Sequence, residues 1–111
     1  MQFPDDVNGD VFRRMAASGF DFGRAHDVEF FAVFRTEEDA DRVAKEFVAD
    51  HNAGDRLVAV DTAPHERGGM ELKIVKSMML THESVTAFET LLAERSGKYD
   101  SYMDGWGVLQ D

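Results

Sequence analysis

This sequence predicts an α+β fold: one helix, then the six elements β-α-β-β-α-β around an antiparallel sheet. Three observations lead there. Apolar residues recur at helical spacing in separate segments, each with a capping residue in front and a glycine behind. The remaining runs are rich in branched and aromatic residues. Two of those runs meet at a Pro/Gly-bearing turn, the mark of a hairpin. With 111 residues, 43% of them hydrophobic and nine of them phenylalanine, the chain suits a single domain over residues 1–111 with one core.

The elements follow in order. In "VFRRMAAS", Val11 with Met15 and Phe12 with Ala16 have the i, i+4 spacing of a helix face. Asn8 or Asp6 can cap this first helix, expected over roughly 8–18, and Gly19 stops it. "HDVEFFAVF" reads as a strand with Val28, Phe30, Ala32 and Phe34 on one side. Glu29, Phe31, Val33 and Arg35 take the other. Thr36 then caps a helix whose first turn holds Glu37, Glu38 and Asp39, well placed against the helix dipole. Its buried stripe is Ala40, Val43, Ala44, Phe47 and Val48, and Gly54 ends it.

"RLVAVDT" and "MELKIVKSMML" form the hairpin, turned through "APHERGG". Thr81 caps the last helix, Val85, Phe88, Leu91 and Leu92 make its stripe, and Gly97 terminates it. The final strand starts at Tyr99. This order is the split β-α-β, ferredoxin-like arrangement with an additional N-terminal helix. The first and third strands belong in the middle of the sheet, the second and fourth at its edges.

Strict alternation along the last strand sets Asp100, Tyr102, Asp104 and Trp106 on one side, and Tyr99, Ser101 and Met103 on the other. The first set suits the sheet face turned away from the two packing helices, together with Phe31, Val33 and Val75. Such a patch has two readings. The preferred one folds the N-terminal helix, carrying Phe12 and Met15, across it, because large exposed apolar patches are uncommon. The other makes it a docking platform for another chain. Gly105 and Gly107 fit either reading, since they permit a bulge or the close approach of another backbone.

Composition removes several classes of function. The chain has no cysteine, so disulfides, thiolate metal sites and thiol catalysis are excluded. "MQFPDDVNGD" is acidic, unlike a targeting peptide, and no apolar run reaches membrane-span length, so a cytoplasmic location is expected. Twelve basic residues against 22 acidic ones give a net charge of −10, which repels nucleic acid and anionic membranes and attracts basic protein surfaces. Aromatics on such a sheet invite comparison with the RNA-recognition motif. The basic rim it needs is absent.

No motif carries a cofactor, a metal or a catalytic set. His82–Glu83 opens like a zincin helix, but Thr86 stands where the second histidine is required. Asp6, Asn8 and Asp10 hint at a calcium loop, yet the glycine is misplaced and Ala17 replaces the bidentate acid. Asp21–Gly23 reads "DFG" without any kinase context, and "GWGVLQ" is no dinucleotide fingerprint. His26, His51 and His65 lie on separate elements without ligand spacing. Asp61, His65 and Glu66 sit near the hairpin and can orient one another. No serine has a convincing activating partner.

"HDVEFFAVFRTEEDADRVAKEF", "THESVTAFETLLAERSGKY" and "DGWG" resemble the regulator of ribonuclease E activity B (RraB-like) family over about residues 8–108. Asp104, Gly105, Trp106 and Gly107 are the most specific part of the likeness, while Met103 stands where the family usually has tyrosine. The resemblance implies a ferredoxin-like domain with an added N-terminal helix. It implies a protein inhibitor, not an enzyme, that binds ribonuclease E and slows RNA decay.

The acidic charge points independently to a basic protein partner. The expected partner-binding residues are Asp104, Trp106, Tyr102 and Phe31, with Glu37, Glu38 and Asp39 as an acidic contact surface. The alternative is a dimeric ferredoxin-like module that senses a small molecule between subunits.

Overall fold

The structure, a computed structural model, describes residues 6–109. The elements are α1 (Val7–Ala17), β1 (Ala25–Phe34), α2 (Glu37–Asn52), β2 (Ala59–Pro64), β3 (Met70–Met79), α3 (His82–Ser96) and β4 (Ser101–Val108). The sheet has four strands in the order β2-β3-β1-β4, and every neighbouring pair is antiparallel. This is the expected α+β, ferredoxin-like arrangement with an added first helix. Gln110 and Asp111, read as part of the last strand, lie outside the described residues.

Alternation on the central strands holds. Val28, Phe30, Ala32 and Phe34 of β1 and Leu72 and Ile74 of β3 are fully buried, and they join α2 and α3 in one core. Ala40, Val43 and Phe47 supply the α2 side, Val85, Phe88 and Leu92 the α3 side. The Phe30 and Phe88 rings lie 4.5 Å apart and those of Phe47 and Phe88 5.7 Å, a favourable distance for tilted aromatic pairs. Val48 departs from the expected stripe: it is 43% exposed, on the rim of the helix.

The caps act as their side chains require. The Thr36 hydroxyl accepts from the Asp39 amide, and Thr81 and Ser84 form a reciprocal capping box. β2 starts later than Arg56, because the Leu57 amide donates to His51 Nδ1 at 2.9 Å instead of joining the sheet.

Asp6 rather than Asn8 caps α1, accepting from the Gly9 amide at 2.7 Å and lying 2.8 Å from His82 Nε2. The Gly9 amide first, then the His82 ring, holds the Asp6 carboxyl below its ordinary range. A carboxylate depressed on folding stabilises the fold above its unfolded range and loses that contribution as pH falls through the folded value. Wild type should therefore be more stable than Asp6→Ala at neutral pH, and the difference should close in acid. Denaturant midpoints of the two proteins between about pH 7 and about pH 2 check this.

Candidate functional site

The tryptophan lies on the opposite side of the sheet from the one expected. Down β4 the partners on β1 are Val108 with Val28, Gly107 with Glu29, Trp106 with Phe30 and Gly105 with Phe31. The pairing then jumps to Met103 with Ala32 and Tyr102 with Val33, leaving Asp104 as the extra residue of a β-bulge. Gly105 has φ 99°, a left-handed conformation that glycine adopts without a steric penalty. One extra residue reverses the alternation. Tyr102 keeps to the outer face, whereas Trp106 shares the inner face with Phe30 and packs against the core.

The first helix is also placed differently from the preferred expectation. It does not cross the outer face but joins α2 and α3 on the inner one. Phe12 is fully buried there, its ring 5.7 Å from that of Trp106 and 5.9 Å from that of Phe22. Trp106 Nε1 donates to Asn8 Oδ1 at 2.9 Å. Asn8 Nδ2 in turn donates to Glu89 Oε1 at 2.6 Å and Thr86 Oγ1 at 3.3 Å on α3. Among the described residues, no helix covers the outer sheet face.

That face is built in rows across the strands. Ala63, Glu71, Val33 and Tyr102 form one row, and Asp61, Lys73, Phe31 and Gly105 the next. Ala59, Val75, Glu29 and Gly107 form the third. Val33 and Val75 are only 2% and 3% exposed. Phe31 is half-buried, and Tyr102 is 50% exposed. The apolar patch is thus smaller than expected, and its two aromatics stand among acids.

Several acids on the helix side are paired: Asp50 and Glu46 with Arg95, Asp55 with Lys76, Asp39 with Arg42. Among the described residues, no Lys or Arg comes within ion-pair distance of Asp27, Glu29, Asp61 or Glu71. Their field acts outward around Phe31 and Tyr102, tempered by Lys73, which stands between Asp61 and Phe31 in the second row.

His65, Glu71 and Asp104 converge on the same face, with ligand-capable atoms within 4.8 Å of one another. Sequence spacing had suggested Asp61 and Glu66 as neighbours of His65; the hairpin and the bulge bring Glu71 and Asp104 instead. The Arg67 amide donates to His65 Nδ1 at 3.2 Å, so the ring proton sits on Nε2, which donates to Asp104 Oδ2 at 3.2 Å. A metal on Nε2 would need that proton on Nδ1, facing the Arg67 N–H. His65 and Asp104 thus form a hydrogen-bonded clasp across the sheet, with Glu71 beside it.

The other histidines serve local structure. His26 Nε2 donates to the Asp21 carbonyl at 2.7 Å, with its ring 4.5 Å from that of Phe20. It lines a recess of about 490 Å³ with Met15, Phe20, Arg24 and Val108. This recess lies on the α1–β1 loop side.

A family model described as regulator of ribonuclease activity B matches residues 5–108, nearly the whole chain. The chain belongs to the RraB family. No curated protein matches it.

In this RraB family member the most specific stretch, Asp104 to Gly107, performs two structural tasks: it makes the bulge and it seats α1. Of the expected site residues, Phe31, Tyr102 and Asp104 are brought together on the bare face, and Trp106 is not. Glu37, Glu38 and Asp39 lie in the first turn of α2, just beyond the end of β1 that pairs with Ser101. The signal for the bulge was present in a glycine next to an aspartate within the strand. What sequence spacing could not supply was which residue would be skipped.

Proposed function

We propose that this protein is a non-catalytic cytoplasmic regulator that binds ribonuclease E, or a related basic RNA-processing protein, and inhibits it, slowing RNA decay. The observation carrying this reading is the bare sheet face, where Asp27, Glu29, Asp61 and Glu71, none with an ion-pair partner among the described residues, share the surface with Phe31 and Tyr102. An acidic face with aromatic footholds favours a protein partner rich in Lys and Arg, and a net charge of −10 opposes direct binding of RNA. Glu37 and Glu38, exposed at one end of the sheet, extend the acidic rim. Trp106 acts from behind the face, holding α1 rather than touching the partner.

The test is a titration of the basic scaffold region of ribonuclease E with this protein at rising salt, together with RNA cleavage in its presence. Binding that weakens steeply with salt and slows cleavage is expected. Salt-insensitive binding, or equal binding by Glu29→Lys/Asp61→Lys, would count against the proposal.

A further inference from the structure

Gly107 has no structural reason to be glycine. Its φ lies outside the left-handed region, and a Cβ added there would meet nothing within 4 Å. A glycine inside a strand weakens it, and one without a local cause marks a place where another molecule approaches closely. Gly105, two residues before it, is required by its positive φ, but the space above it is open as well. Side by side on the edge strand, the two glycines leave a trough in the outer face. Phe31, opposite Gly105, and Glu29, opposite Gly107, form its inner wall. Tyr102 stands at one end, and Leu109, 43% exposed, at the other.

We infer that this trough receives an arginine side chain from an extended basic segment of the partner protein. The inference rests on the proposed function for the source of that segment, but not for the chemistry. A flat, weakly hydrated guanidinium stacks on aromatic faces and pairs with a carboxylate in the same plane. The trough offers Phe31 and Tyr102 for stacking, and Glu29 has no cationic partner among the described residues. A lysine ammonium, compact and strongly hydrated, uses the charge but not the slot. A second copy of this acidic chain would bring like charge to like.

The experiment uses the intact protein and two short peptides of equal length and charge, one arginine-rich and one lysine-rich, followed by calorimetry at low salt. Wild type should bind the arginine peptide several-fold more tightly than the lysine peptide. Gly107→Leu should fold with an unfolding midpoint no lower than wild type, because its side chain enters open space and the strand loses a glycine, yet bind the arginine peptide about tenfold more weakly. Glu29→Gln, a change of charge without added bulk, should weaken it too.

Equal binding by Gly107→Leu and wild type, or no preference for arginine over lysine, overturns the inference. So does self-association through this face that excludes the peptide. If the arginine peptide binds as expected while ribonuclease E does not, the trough stands and the proposed partner falls.

Discussion

Replacing Trp106 with alanine is expected to lower stability by about 3 kcal/mol and to free α1 from the helix layer. The indole supports Phe12 and donates to Asn8, and Asn8 links onward to Glu89 and Thr86 of α3. Truncation removes the aromatic packing and strands the Asn8 carbonyl oxygen without its donor, a further cost. Chemical denaturation reads the stability, and amide hydrogen exchange reads α1 separately. Amides of Val7–Ala17 should exchange faster in the variant, while those of β1 and β3 stay slow until global unfolding. A stability within about 0.5 kcal/mol of wild type, with α1 still protected, would mean that the indole does not seat the helix.

Phe30→Ala should have the largest effect on the fold, about 3–5 kcal/mol. The ring is fully buried in a central strand, between Ile74 and Trp106 in the register and 4.5 Å from Phe88. Neither neighbouring strand can move in to fill the gap without breaking its pairing with β1. Val48→Ala, at the exposed rim of α2, should change stability by no more than about 0.5 kcal/mol. Urea unfolding of the two variants gives the comparison directly. Similar losses at both positions would mean that the core is not where the alternation places it.

Much of this fold was legible because the signals were local. Thr36 and Thr81 begin helices as their hydroxyls dictate, and the Val28-to-Phe34 alternation puts one side of β1 inside. Strand order followed from element order alone. Parity on β4 was not legible in the same way. Counting from Tyr102 placed Trp106 on the outer face, because alternation is lost at a single skipped residue, and only the pairing with β1 shows Asp104 to be the one skipped.

The position of α1 had the same difficulty. A helix with one apolar side needs a surface, and the sequence offered two. The polar chain through Asn8 selects the inner one, and its partners are Glu89 and Trp106, far away in sequence. The His65–Asp104 contact was hidden for a similar reason, as it spans 39 residues. Of the candidate site, the acids and aromatics were visible as residue types. Their division between a bare face and a covered one was not.

The most direct test of the account is fluorine NMR on protein carrying fluorotyrosine and fluorotryptophan, titrated with the basic ribonuclease E segment. The chain has one tryptophan and two tyrosines, so each resonance can be assigned by single substitution. Tyr99 packs near Phe34 on the helix side, with ring centroids 6.4 Å apart, and serves as an internal control. The Tyr102 signal should move with partner concentration while those of Trp106 and Tyr99 stay in place. A Trp106 signal that moves while Tyr102 remains still would put the partner on the helix side and contradict the account.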